Sequence, residues 1–338
     1  MVVFLLAFAV SCVSTSILIR VLIARKILDS PNERSSHHLP IPRGGGLAIL
    51  VGLAVALAVA HQQGLLVVDL PILVGTALVA IGGALDDILG GVPPLLRLAI
   101  QTGAASWVVW NRGGFAVLPL PSPLDISLGP LGAVLAIVWM VALCNFYNFL
   151  DGIDGYAAGQ GALASFGFLL LGQDALAATS LALMGACLGF MVHNWHPARV
   201  FMGDTGSGAI GFMLAALPFG LPSGSREISV FAAGLFLWFF LSDGLFTLVS
   251  RLIRGEKIWT PHRRHLYQRL VASGLPHSAV VVRIGLAGVP LVLLAAISCR
   301  FQQAVLQWAA LFLGLLSFVV YIGWTRSWET RITRGVGD

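Results

Sequence analysis

Residues 1–20, MVVFLLAFAVSCVSTSILIR, carry no charge before Arg20. As a helix rising about 1.5 Å per residue, such a stretch crosses the ~30 Å hydrocarbon core of a bilayer. No basic segment precedes it, so it reads as a retained first span rather than a signal peptide. Working outward from this span (1–24), apolar segments recur at 44–60, 70–86, 95–110, 130–149, 155–171, 175–192, 207–221, 228–250, 279–298 and 304–324, which makes about eleven expected spans. Composition agrees. Of 338 residues, 57% are hydrophobic and 10% charged, whereas a soluble domain carries about 25% charged residues. A cytosolic globular enzyme, a disordered chain and a fibrous repeat are excluded. The segments are apolar all round, which also excludes an outer-membrane barrel of alternating strands. The expected fold is an all-α polytopic integral membrane protein, with 1–338 forming one transmembrane domain. Its four cysteines (Cys12, Cys144, Cys187, Cys299) have no paired spacing and read as packing residues.

The basic residues orient the spans. Fifteen Lys and Arg fall in the segments on one side, and only Arg112, Arg226 and Arg300 on the other. By the positive-inside rule the N-terminus is expected outside and the C-terminus in the cytoplasm. The outside loops are short and nearly featureless. The chemistry is therefore expected from the cytoplasmic segments 25–43, 86–97, 145–155, 193–206 and 251–278.

Those segments concentrate the polar residues. Asp86 and Asp87, in IGGALDDILGG, place two adjacent carboxylates at the end of a span. Adjacent carboxylates repel unless a cation or shared proton relieves them, so the pair suggests metal or acid–base chemistry. In NFYNFLDGIDGYAAG (145–159), Asn145, Asn148, Asp151 and Asp154 recur every third residue and would form one polar stripe if the segment stayed helical. Oxygen ligands of this kind suit Mg2+ or a ligand with several hydroxyls. In HNWHPARVFMGDTGSGAIGF (193–212), Asp204 precedes an apolar helix that Thr205 or Ser207 would cap, leaving N–H groups for an anion. His193 and His196 read as interfacial packing. In RGEKIWTPHRRHLYQRL (254–270), His262, Arg263, Arg264 and His265 form a cationic knot suited to phosphate. His37, His38 and Arg43, beside three glycines in the first loop, suit an anion as well. Acidic oxygens and basic residues on one membrane face point to a metal-bridged phosphate or diphosphate. An ion-coupled transporter would instead hold its charges near the midplane, where Asp243 is the clearest exception to an uncharged interior. A CDP-alcohol phosphotransferase would need a compact aspartate run, which the chain lacks.

The elements PNERSSHHLPIPRGGG, GALDD, NFYNFLDGIDG, VFMGDTGSGAIGF and PHRRHLYQRL, in this order over 29–270, resemble the polyprenyl-phosphate N-acetylhexosamine-1-phosphate transferases. Within that family the chain looks most like the O-antigen and enterobacterial-common-antigen initiating enzymes, with the peptidoglycan phospho-MurNAc-pentapeptide translocases as the alternative branch. The resemblance implies Mg2+-dependent transfer of a sugar-1-phosphate from a UDP-N-acetylhexosamine to undecaprenyl phosphate, with release of UMP, at the bacterial inner membrane. Mn2+ is the expected substitute ion, the membrane lipid and both substrates are the expected partners, nucleic acid is not, and a homodimer is compatible with the reading. Carried over by position, Asp204 and Asn145 are the implied Mg2+ ligands, Asp86 is the implied acceptor of a proton from the lipid phosphate with Asp87 beside it as metal or phosphate partner, and Asp86, Asp87 and Asp204 are the expected catalytic residues. Asn148, Asp151, Asp154, His262, Arg263, Arg264 and His265 are implied to contact the nucleotide sugar, and Arg43 and Arg97 the lipid phosphate. The chain departs from some relatives at Gly91, where they carry a basic residue. Arg97 is the expected replacement.

Overall fold

The computed structural model describes residues 1–29, 40–65, 68–257 and 263–335. His37, His38 and His262 lie outside the described residues. Helices α1 (Val2–Ala24), α2 (Gly46–Gln62), α3 (Leu70–Leu89), α4 (Pro94–Arg112), α5 (Leu131–Leu150), α6 (Tyr156–Leu170) and α7 (Asp174–Asn194) form the first half. The second half is α8 (Gly203–Ala216) with a 3-10 turn Leu217–Gly220, α9 (Ser225–Phe236), α10 (Trp238–Ile253), the short α11 (Leu266–Ala272), α12 (His277–Arg300) and α13 (Ala304–Gly335). One antiparallel pair, β1 (Leu28–Asp29) with β2 (Ile41–Pro42), closes the first loop, with Leu28 opposite Pro42. All four cysteines are free thiols.

A helix covers each stretch read as a span, but among the described residues six are long and apolar enough to cross a membrane, or seven if α9 and α10 count as one. The protein is an all-α, multi-pass membrane protein. The expected count of eleven is not matched, since α2, α4, α6 and α8 fall outside these seven, and two of the expected stretches also differ in their bounds. The stretch 228–250 is two helices bent by 74° at Leu237. The stretch expected at 207–221 begins at Gly203, and α8 has 14 residues, about 21 Å at 1.5 Å per residue, which falls short of the ~30 Å hydrocarbon core.

The burial patterns explain the arrangement. In α1 one stripe is buried, Val3, Ala7, Ser11 and Thr15 at intervals of four, while Val13, Ile17 and Val21 are exposed on its other faces. Exposed aliphatics around a helix suit lipid, and a stripe of small residues lets a second backbone come close. That second backbone is α7, whose Gly185 and Gly189 lie against the carbonyls of Phe4 and Phe8, and Ser11 Oγ donates to Ala186 O at 2.8 Å. By contrast, α8 is buried on every face except at Asp204. A helix apolar all round belongs in the centre of a bundle, and α8 packs against α2, α3 and α5.

The opposite end of the bundle is tied by Asp69 at the start of α3, which pairs with Arg112 at the end of α4 at 2.8 Å. Arg226 donates to Arg112 O at 2.6 Å, and Glu227 accepts from Ala116 N at 2.9 Å. The loops read as featureless therefore carry a partly exposed ion pair and two buried charged side chains that hold backbone groups.

Where α3 crosses α8, a Cβ on Gly83 would overlap the backbone of Asp204 and Thr205. Gly83→Ala is expected to lower the melting temperature in detergent, by an overpacking cost of about 1–3 kcal/mol. Gly103→Ala, whose added methyl meets nothing within 4 Å, is the control and is expected to melt at or above the wild-type temperature.

Candidate active site

The polar residues meet where the C-terminal end of α3, the first turns of α4 and α8, and the last turns of α5 converge. Asp86 and Asp87 are successive residues of the last turn of α3, so they point about 100° apart on the helix. Asp87 turns to α8. Its carboxylate accepts from Asp204 N and Thr205 N, each at 3.0 Å, and from Thr205 Oγ1 at 2.7 Å. The first N–H groups of a buried helix have no intrahelical partner and must be satisfied. The N-cap residue of α8, Met202, supplies no side-chain cap. Asp87 does so from a neighbouring helix, and its negative charge suits the positive helix end. The expectation that Thr205 or Ser207 caps α8 is thus corrected. Thr205 donates to Asp87, while Ser207 Oγ donates to Gly203 O at 2.9 Å and accepts from Asn148 Nδ2 at 2.8 Å.

Asp86 faces the turn into α4. Its Oδ1 accepts from Val92 N at 2.6 Å and from Arg97 Nη2 at 2.5 Å. Arg97 Nη1 reaches Asp204 Oδ2 at 3.0 Å. On the other side Arg43 joins Asp87 Oδ1 through Nε at 2.9 Å and Asp204 Oδ1 through Nη2 at 2.7 Å, with Asp86 Oδ2 at 3.8 Å. Three carboxylates are therefore laced together by two guanidinium groups. The Asp86, Asp87 and Asp204 side chains are 6%, 3% and 15% exposed, the two arginines 35% and 30%, so the guanidinium groups lie at the mouth. Burial works against the charge of Arg43, yet Asp204 and Asp87 outweigh it and hold its pKa above the ordinary value. Arg97 thus stands in the cluster.

A small pocket opens beside this cluster, lined by the polar Arg97, Gln101, Asn148 and Asp204 and the apolar Val79 and Ile100. Gln101, which sequence reasoning missed, holds Asn145. Asn145 Nδ2 donates to Gln101 Oε1 at 2.7 Å and to Val141 O at 2.8 Å, while Oδ1 has a contact from Gln101 Nε2 at 3.5 Å.

The stripe expected through 154 ends early, because α5 stops at Leu150 and α6 begins at Tyr156 after Gly155 at φ 76°. Asp151 is the last residue facing the cluster. Burial first, then the charge of Asp204, pushes its carboxyl up to about 7. Asp154 is turned elsewhere. Its Oδ2 meets His196 Nδ1 at 2.6 Å, Ala198 N at 3.1 Å and His277 Nδ1 at 3.3 Å, so it binds protein partners where a sugar contact was expected.

The basic knot divides as well. Arg263 and Arg264 are exposed, and Arg264 pairs with Glu256, which also meets Arg251 Nε at 3.2 Å. His265 is buried, with Nδ1 3.2 Å from Asp243 Oδ1. Asp243, with no exposed surface, also accepts from Leu266 N at 2.9 Å, Tyr267 N at 3.3 Å and Tyr321 OH at 3.3 Å. It caps α11 from within α10, and its contact with His265 anchors the loop. Asp243, the clearest exception to the uncharged interior, is a fastening point. Tyr267 in turn packs on Tyr156, with ring centroids 5.1 Å apart, and against Gly152, which seats α11 below the Asp151 turn. His193 packs, as expected, between Ser16 Oγ at 3.1 Å and Arg199 Nη2 at 2.8 Å.

A bundle of apolar helices that buries a knot of carboxylates and arginines at one end, beside a small pocket, suits a membrane enzyme of phosphate chemistry. The family model for glycosyl transferase family 4 matches residues 70–221, the segment that carries Asp86, Asp87, Asn145, Asn148 and Asp204. A probable undecaprenyl-phosphate N-acetylglucosaminyl 1-phosphate transferase of Bacillus subtilis is 30% identical over 92% of this chain and 87% of its own length. A decaprenyl-phosphate N-acetylglucosaminephosphotransferase of Mycobacterium tuberculosis is 34% identical over 75% of this chain and 71% of its own. A phospho-N-acetylmuramoyl-pentapeptide-transferase of Gloeothece citriformis is 40% identical, over 43% of this chain and 42% of its own. The chain belongs to the family of polyprenyl-phosphate N-acetylglucosamine-1-phosphate transferases and is a sugar-phosphate transferase.

The raised pKa of Asp151 sets a pH test on metal-free protein. The neutral acid costs nothing below the ordinary value of 3.8, and the penalty for ionising it in the fold builds as pH rises from 3.8 to about 7. Asp151→Asn cannot ionise. In a chelator, its melting temperature relative to wild type is expected to climb between about pH 4 and pH 8. A difference that stays flat across that range contradicts the assignment.

Proposed function

We propose that the protein transfers N-acetylhexosamine-1-phosphate from a UDP-sugar to undecaprenyl phosphate, releasing UMP, with Mg2+ as the metal and the site at the cytoplasmic face of the bacterial inner membrane. The product would start a lipid-linked polysaccharide of the O-antigen type. The observation that carries this reading is the three-carboxylate, two-guanidinium cluster beside a pocket whose lining includes the apolar Val79 and Ile100. A polyprenyl phosphate needs both, an apolar wall for its chain and cations for its head.

The donor set fits Mg2+. Asp204 supplies a carboxylate, and Asn145 an amide oxygen whose nitrogen is already committed to Gln101 and Val141. Hard oxygen ligands of this kind suit that ion. Bound by Asp204 and Asn145, Mg2+ would neutralise the diphosphate oxygens as charge develops. Arg43 and Arg97 balance the carboxylates in the metal-free form and are free to turn to phosphate in the loaded one. The Arg97 Nε, buried and without a partner in the structure, is a donor still to be satisfied.

The lipid phosphate attacks the β-phosphorus of the donor. One O–P bond forms, the bond from that phosphorus to the bridging oxygen breaks, and the electron pair leaves with UMP. A phosphomonoester has its second pKa near 6, so at neutral pH the nucleophile is already largely a dianion. Asp86, with Val92 N and Arg97 on Oδ1, is better placed to hold Arg97 in position than to take a proton. Catalysis then rests on positioning and charge neutralisation. Asn148, Asp151, Arg263 and Arg264 remain the candidates for the nucleotide sugar.

The partial match to the pentapeptide transferases favours UDP-MurNAc-pentapeptide as the second donor to test. Purified protein with undecaprenyl phosphate and either UDP-N-acetylhexosamines or UDP-MurNAc-pentapeptide is expected to release UMP from the former, only with Mg2+. Asp204→Ala is expected to lose on the order of 100-fold or more of that rate. UMP from the pentapeptide donor alone would select the other branch, and no UMP from any donor with folded protein would overturn the reading.

A further inference from the structure

On the reading that Arg263 and Arg264 meet the nucleotide sugar, we infer that Glu329, near the end of α13, is a positioning residue for binding of that donor. By gripping Arg269 it holds α11, and through α11 the two arginines, beside the site. Helix α13 is longer than a crossing requires. Its 32 residues span about 48 Å at 1.5 Å per residue, well past the ~30 Å hydrocarbon core. The apolar run ends at 324, and the surplus carries Arg326, Glu329 and Arg331. That surplus packs on α11, at the end of the bundle where Tyr267 OH lies 3.5 Å from Phe149 O near the close of α5.

With 7 residues, α11 is too short to be stable as a helix on its own, so it takes its position from what grips it. Its start is held by Asp243 of α10, through Leu266 N at 2.9 Å and Tyr267 N at 3.3 Å, and Tyr321 OH of α13 reaches the same carboxylate at 3.3 Å. Its last turn is held by α13. Arg269 Nε and Nη2 meet Glu329 Oε1 and Oε2 at 2.8 and 2.6 Å, a forked pair that fixes direction as well as distance. Trp328 Nε1 donates to Ser273 O at 3.0 Å. The Arg283 guanidinium of α12 lies 5.6 and 5.9 Å from the rings of Trp324 and Trp328, which steadies α13 in turn. Arg263 and Arg264 immediately precede His265, the N-cap residue of α11, so a tilt of this helix moves both guanidinium groups. The Arg269 and Glu329 side chains are 29% and 35% exposed, so replacing either leaves no deeply buried charge behind. The Mg2+ candidates Asp204 and Asn145 belong to α8 and α5, outside this grip.

The test is steady-state UMP release by full-length protein in detergent with Mg2+, titrating the UDP-N-acetylhexosamine and the undecaprenyl phosphate in turn. Glu329→Gln keeps the shape and removes the charge. It is expected to raise the donor KM about 3- to 10-fold. Its kcat, its KM for the lipid phosphate and its Mg2+ half-saturation are expected within about twofold of wild type. Glu329→Arg is expected to raise the donor KM further, and adding Arg269→Glu to that variant to bring it back to within about twofold, because the swapped pair grips again. A merely structural role would lower kcat and the melting temperature together and would not follow the charge swap. With wild type active, an unchanged donor KM in Glu329→Gln, or a swap that recovers nothing, overturns the inference alone. No UMP from wild type with any UDP-sugar overturns the donor reading and this inference with it.

Discussion

The first turn of α8 lies inside the bundle, away from water, and a buried helix start is tenable only if its free N–H groups find an acceptor. Asp87 is that acceptor, reaching across from α3 to Asp204 N, Thr205 N and Thr205 Oγ1. Much else follows from this one interaction. It fixes where α8 begins, and so where Asp204 stands against Asp86. It demands that α3 and α8 touch backbone to backbone, which Gly83 allows. It also places a negative charge at the core of the site, which Arg43 and Arg97 must balance.

The balance has a consequence for chemistry. Three carboxylates against two guanidinium groups leave one negative charge over, held in a setting with little water. On the proposed reading a divalent cation would relieve it, and substrate phosphates would then give the arginines new partners. Within this geometry Asp86 and Asp87 do different work despite being neighbours. One orients an arginine at the mouth of the pocket, and the other builds the floor on which Asp204 sits.

The membrane architecture was legible because apolar runs near 20 residues have no soluble use, and a helix stands over each of them. The bend between α9 and α10 was not, since 228–250 is apolar on both sides of Leu237 and packing decides where it breaks. The start of α8 was hidden because GDTGSG has the composition of a loop. A tertiary cap from Asp87 overrides that local preference. The dense polar motifs did identify the cluster of Asp86, Asp87, Asn145, Asn148, Asp204, Arg43 and Arg97. Spacing failed for Asp154, where α5 ends at Leu150 and the stripe no longer shares a face. It failed for His265 too, because its partner Asp243 lies 22 residues earlier on another helix. Gln101 and His277 carried no sequence signal beyond one polar residue near the end of an apolar run.

The central claim is that Asp87 acts by aiming Asp204 and the start of α8 rather than by touching substrate. The most direct test is the Mg2+ dependence of UMP release in Asp87→Asn beside wild type. The account predicts that half-saturation shifts to higher Mg2+ by about 10- to 100-fold, as for the loss of an outer partner of a metal ligand, with much of the rate recovered at saturating Mg2+. An unchanged Mg2+ requirement with the rate lost at every concentration would contradict it and place Asp87 among the groups that meet the reacting phosphates.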